Sequence, residues 1–317
     1  MYDSRRSYGS FSRCRLRASA HAPPSALALP ARRRLALSSP ERRRGSKGVR
    51  EDAPVRYTAR VEYDGTDFAG FQAQSGVRTV QGELEAALAK LNGGARLRVD
   101  GAGRTDAGVH ASDQVIAFTY PGRLSAEELG RALDALLPAD VAVRNVRTAA
   151  AGFHPRHAAR YREYRYTVWN GPRSPLRERY AFAVRVPLDT AAMADAASVL
   201  VGRHDFTAFG APVGSSPVRT VQWIRIGRRG SEVTIDVAAD AFLQGMVRRI
   251  AAVLIEVGRG NTNQASVAQA LKDRRPALDG ATAPAKGLCL RRVVLGRRFR
   301  TSRETQTATH QGEQQTR

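Results

Sequence analysis

The chain reads as an α+β protein built from two halves, each ordered β-α-β-β-α-β. Three features of its 317 residues lead there. A period-two run opens the first half, capped helical patterns alternate with strands through it, and the same order of elements recurs from Tyr161 to Leu295. A chain of this length can bury a large core, as one large or two small domains.

In the first half, Val55, Tyr57, Ala59, Val61 and Tyr63 alternate with Arg56, Thr58, Arg60 and Glu62, a half-buried strand that Asp64-Gly65 ends. Val80, Leu84, Leu88 and Leu91 mark one face of a helix, with Thr79 as its cap. Leu97 and Val99 give a short strand, and Val115 to Phe118 the next. Ser125 to Glu128 is a capping box that opens a helix through Leu129, Leu133, Leu136 and Leu137, stopped by Pro138. Val141, Val143 and Val146 supply the closing strand.

In the second half, Tyr161 to Trp169 is a strand and Tyr180 to Val186 an extra one. Asp189 caps a helix through Met193, Ala197 and Leu200. Val221 to Ile226 and Val233 to Val237 form a hairpin around Arg228-Arg229-Gly230. Phe242, Met246, Ile250, Val253 and Val257 read as a helix ending at Gly258, and Leu288 to Leu295 as the last strand. Both halves follow the ferredoxin-like pattern, whose sheet is related to that of RNA-recognition modules. The repetition is one of element order, not of residues. The boundaries read from this are a basic, disordered extension at 1–53, an α+β half at 54–150, a second at 151–298, and a disordered Gln- and Thr-rich tail at 299–317.

Charge narrows the function. The net charge is +22, and residues 1–50 hold 13 Lys or Arg against two acids, so about half of the excess sits on the rest of the chain. A basic folded body points to a polyanion, nucleic acid first and an anionic membrane surface second. No apolar run is long enough to span a membrane. The extension has three readings: an RNA-attracting tail, an acid-poor transit peptide, or sequence upstream of the true start. The cytoplasm is the expected location. Cys14 and Cys289 stand far apart, and the six histidines show no metal-ligand spacing.

Between the strands ending at Val99 and starting at Val115 lies Gly101-Ala-Gly-Arg104-Thr-Asp106-Ala-Gly-Val-His110-Ala111. Its glycines permit a tight backbone path. Arg104 can pair with Asp106, or with a phosphate beside it, and pairing favours the charged carboxylate that a nucleophile or base needs. The alternative for such a segment is an ordinary turn with a surface ion pair. Gly101-x-Gly103 is no dinucleotide fingerprint, since a strand and not a helix follows it, and no Gly-Lys-Ser/Thr phosphate loop occurs.

The run Gly103-Arg-Thr-Asp-Ala-Gly-Val-His-Ala111 resembles the signature of the tRNA pseudouridine synthase A family. Further resemblance comes from Tyr63-Asp-Gly-Thr66 with Phe71-Gln72, Phe153-His154 with Arg156, Tyr164-Arg-Tyr166, Phe242-Leu243 with Met246-Val-Arg248, and Gly287-Leu288. The matched motifs span about residues 55 to 296. Phe71 stands where the family often has Trp, and His157 where another aromatic is frequent.

The resemblance implies one mostly antiparallel sheet made from both halves, helices packed on it, and a central basic cleft. It implies isomerisation of uridine to pseudouridine in the anticodon arm of tRNA, at positions 38, 39 and 40, without cofactor or metal. The target base must be flipped out of the arm, at roughly a few kcal/mol. Asp106 takes the catalytic role, and Arg104 pairs with it or fills the gap left by the flipped base. Tyr164, on a strand face with Tyr166 and Val168, lines the uracil pocket; the alternative is a core tyrosine. Tyr166 is assigned to the core. Arg248, beside Arg249 on the last long helix, contacts phosphate or supports the site, or else sits on a solvated face. His110 and His204 are read as structural. The partners implied are tRNA and a second copy of the chain. The competing class is a non-catalytic protein that binds structured RNA, which would have no use for a carboxylate facing phosphate.

Overall fold

The computed structural model describes residues 53–211, 216–278 and 280–296. The basic extension, except residue 53, and the 299–317 tail lie outside the described residues. The described residues form an α+β structure with six α-helices and a ten-stranded, mostly antiparallel sheet.

The first half runs β1 (Val55–Tyr63), α1 (Val80–Leu91), β2 (Val99–Gly101), β3 (His110–Tyr120), α2 (Ala126–Leu136) and β4 (Val141–Thr148). The alternation in β1 is realised, with Tyr57, Ala59, Val61 and Tyr63 buried. Thr79 caps α1 through the Gly82 N–H. Ser125 and Glu128 close the capping box of α2. β3 is much longer than its apolar core, because His110 and Ala111 already pair across the sheet. Leu136 is exposed rather than in the core.

The second half begins with the short α3 (Pro155–Ala158), then β5 (Ala159–Trp169), β6 (Phe182–Ala183), α4 (Thr190–Ser198), β7 (Gly202–Asp205), β8 (Val218–Arg229), β9 (Glu232–Ala239), α5 (Met246–Gly258), α6 (Gln264–Asp273) and β10 (Leu288–Leu295). The extra strand expected over Tyr180 to Val186 shrinks to two residues on β5, since Arg179 and Tyr180 are spent on polar contacts to the first half. Phe242 falls before α5, which starts only after the left-handed Gly245. α3, β7 and α6 are short elements that periodicity does not announce.

The sheet order is β4-β1-β3-β10-β5-β9-β8-β7, with β2 on β3 and β6 on β5. The halves meet where β10 lies parallel to β3, Cys289 opposite His110 and Leu290 opposite Ala111. This seam is a short parallel junction within an antiparallel sheet. It brings the loop between β2 and β3 beside β5 and the end of β9. One continuous core holds Phe118, Leu84 and Leu129 of the first half with Tyr166, Ile235 and Leu254 of the second.

Candidate active site

Residues 102–109 form the connection from β2 to β3, and nearly every turn of their backbone is tied down. Ala102 N–H donates to Val115 O at 2.8 Å, and Gln114 Nε2 donates to Gly103 O at 3.0 Å. Phe71 N–H donates to Thr105 O at 3.1 Å, and Gly108 N–H to Phe68 O at 3.2 Å. The Thr105 hydroxyl lies 2.8 Å from that of the buried Tyr63. Gly108 has φ +74°, a left-handed turn that glycine adopts without strain. Gly70 is required for a different reason. Besides its φ of +105°, a Cβ there would stand 2.8 Å from Thr105 O. A loop this heavily bonded holds its side chains in fixed directions.

Asp106 projects from this platform with its side chain 35% exposed. Its cationic neighbour is Arg248, whose Nη1 lies 3.8 Å from Asp106 Oδ2. Arg248 sits in the first turn of α5 and is steadied by donating Nε to Ala283 O at 2.8 Å. Arg104 does not form the expected pair: it points to solvent, with no hydrogen bond or ion pair to the described residues. Two residues' separation in a tight turn sends the two side chains apart.

Tyr164 lies on β5 with 8% of its surface exposed, and Phe242 packs edge-on against its ring at 5.1 Å. Burial pushes the Tyr164 phenol above its ordinary range; the Arg162 charge opposes the shift and the Asp106 charge adds to it. Tyr166 is fully buried and donates to Pro284 O at 2.9 Å, so it belongs to the core.

Around the loop, the segment after β5 is strapped to the first half. Arg179 Nε meets Asp64 Oδ2 at 2.7 Å, and the Tyr180 hydroxyl donates to the same oxygen at 2.9 Å. Partial burial disfavours the charge on Asp64. Hydrogen bonds from Thr66, Tyr180 and Arg179 outweigh it and hold the carboxyl well below its usual range. His110 accepts from Gly65 N–H at Nδ1, 3.0 Å, and Nε2 faces Lys286 O at 3.2 Å, a structural role between the halves. Lys286 itself pairs with Glu178. The His204 ring bonds to the nearby Val201 O and packs edge-on against Phe206.

Among the described residues no group of His, Cys, Asp or Glu could hold a metal ion. No helix there is long and apolar enough to cross a membrane. Two neighbours of the site, Phe242 and Arg162, had no site role in the sequence reading, although Phe242 stands in one of the family-like motifs. Phe242 looks like the first apolar residue of a helix. Arg162 continues the Tyr164, Tyr166 and Val168 face one step earlier; its place in that period-two row was the available signal.

The model of the tRNA pseudouridine synthase family matches residues 59–157 and 196–294. The chain belongs to that family. It is 44% identical over 239 residues to tRNA pseudouridine synthase A of Brevibacillus brevis, covering 74% of this chain and 97% of that protein. Against the protein of the same name from Methylococcus capsulatus it is 42% identical over 253 residues, covering 79% and 93%. For that from Pelobacter propionicus the values are 44% over 235 residues, 73% and 95%. As a member of this isomerase family, the chain is an enzyme. The matched segments contain the Asp106 loop, Arg248 and Phe242.

Proposed function

We propose that this protein isomerises uridine to pseudouridine in tRNA, acting in the anticodon arm at positions 38, 39 and 40, with Asp106 as the catalytic residue. The observation that carries the reading is the Asp106 carboxylate, held on a heavily bonded loop 3.8 Å from the Arg248 guanidinium. The reaction breaks the N1–C1′ bond, turns the base, and joins C5 to C1′. C5 gives up its hydrogen to solvent and N1 takes up a proton, while every heavy atom of the substrate is retained, so the site must supply geometry and charge.

In this reading a uridine flipped from the arm enters between the halves. Tyr164 and Phe242 offer it an aromatic wall, and stacking of this kind is worth about 1–3 kcal/mol per base. Asp106 addresses the reacting nucleotide. Arg248 balances the charge of the partly exposed Asp106, and a bound base would shield both from water. Arg104, exposed and without a hydrogen-bond or ion-pair partner among the described residues, would enter the gap left by the flipped base or meet a phosphate. No cofactor takes part.

The wider setting belongs to the same proposal. Each half, 54–150 and 151–298, is read as a ferredoxin-like unit. The orders β4-β1-β3-β2 and β10-β5-β9-β8 support this, since they place equivalent elements in equivalent positions. The space between them is read as a basic cleft for tRNA, in a homodimer that works in the cytoplasm.

The deciding experiment follows tritium released from C5-labelled uridine in tRNA, with wild type beside Asp106→Asn. Release by the wild type alone is the expected result. Equal release from both would remove Asp106 from the chemistry. Tight tRNA binding without release from either would return the protein to the class of structured-RNA binders.

A further inference from the structure

Arg162 is a charged residue in the interior, only 7% exposed. It stands on β5 two residues before Tyr164, on the same face. Its Nη2 donates to Ala102 O at 2.6 Å and to Arg156 O at 3.2 Å, and its Nη1 donates to Asp240 O at 2.6 Å. Gly103 passes close to its Nε, which lies 3.8 Å from where a Cβ there would be. These carbonyls come from three separate segments. Ala102 begins the Asp106 loop in the first half. Arg156 is in α3. Asp240 follows β9 and precedes Phe242 by two residues.

Burying a cation costs several kcal/mol unless its donors are well satisfied. Carbonyl oxygens from converging segments do this, and only the flat fork of a guanidinium reaches them together. Lysine would reach fewer of them from a single nitrogen.

We infer that Arg162 is a positioning residue for the reaction: it clamps the start of the Asp106 loop to the segment carrying Phe242, and so sets Asp106 against the Tyr164 wall. The inference rests on the functional reading above. Arg162 has its three carbonyl partners on Ala102, Arg156 and Asp240. It acts by fixing the distance between catalytic pieces that come from different halves. Its charge is also felt at the Tyr164 phenol. A displacement on the order of 1 Å in such a site can cost about 100-fold in rate.

The test compares wild type, Arg162→Lys and Arg162→Ala, each shown folded by thermal melting. It measures kcat and KM for tRNA, and deuterium uptake by a peptide covering residues 101–109. The expected result is a fall in kcat on the order of 100-fold, with KM for tRNA within about threefold. Uptake should be faster in that peptide and unchanged in the β1 strand. Millimolar guanidinium should restore part of the Arg162→Ala rate, while sodium chloride at equal ionic strength should not. If Arg162→Ala does not fold, the kcat and exchange of Arg162→Lys decide alone. Unchanged kcat in a folded variant would overturn the inference while leaving the assignment of Asp106 intact. So would equal losses through KM, or rescue by salt alone. An inactive wild type would instead remove the functional reading and the inference with it.

Discussion

Arg248 Nη1 stands 3.8 Å from Asp106 Oδ2, although one residue opens α5 of the second half and the other sits on the loop before β3 of the first. The site is thus shared by both halves. Arg248→Met should lower the isomerisation rate on the order of 100-fold, comparable to losing one preorganised charge contact in an active site. Single-turnover kinetics with enzyme in excess over tRNA measures this. A rate within twofold of wild type would show that the pair is incidental.

Arg104 makes the opposite prediction for stability. Its side chain is exposed and makes no hydrogen bond or ion pair to a described residue, so Arg104→Ala should leave the melting temperature within about 1–2 °C, as surface changes usually do. Its activity should still fall if the residue meets RNA. Parallel melting curves and turnover assays separate these effects. A large loss of stability would reveal a role inside the fold.

Tyr63 and Thr105 share a buried hydroxyl–hydroxyl bond of 2.8 Å. Tyr63→Phe should cost about 1 kcal/mol, because it strands the Thr105 hydroxyl. Combining it with Thr105→Val should cost less than the sum of the two single changes, since neither polar group then remains without its partner. Urea titrations of the four proteins give the coupling; additivity would mean the bond contributes nothing.

Gly70→Ala attacks the same loop from outside. The new Cβ would press on Thr105 O at 2.8 Å from a backbone with φ +105°. A loss of about 1–3 kcal/mol is expected, with activity falling further than stability, because the pushed segment carries Asp106. Thermal melts with activity assays below the transition check this. An active, equally stable variant would show that the loop is not held as described.

Asp64 gives a pH signature. Its folded carboxyl is held below the ordinary 3.8, so between the two values the unfolded chain carries a proton that the folded chain lacks. Its contribution is therefore complete above about pH 4 and is lost as pH falls further. Asp64→Asn should be less stable than wild type at pH 7, and the gap should narrow on acidification below pH 4. Melting temperatures from pH 2 to 7 test this. A gap constant with pH would remove the ion-pair and hydrogen-bond account.

The amino-acid sequence by itself determined the local order. The alternation of Val55 to Tyr63, the caps at Thr79, Ser125 and Asp189 and the Leu288–Leu295 strand are patterns written over a few residues of chain. The hairpin expected around Arg228–Gly230 turns at Gly230 and Ser231, with Arg228 and Arg229 still on β8. The nine-residue run around Asp106 likewise pointed to the family. Tertiary structure alone decided which cation reaches Asp106. Arg104 is its neighbour in sequence, but the turn sends it to solvent, while the β3–β10 seam and the placement of α5 bring Arg248 instead. Phe242 and Arg162 were hidden for the same reason. A helix-like apolar spacing says nothing about where the helix begins after Gly245, and the worth of a buried guanidinium depends on carbonyls from three distant segments. Periodicity and capping are set within a few residues of chain. Convergence at a site is set by the one sheet register that buries both halves in a common core.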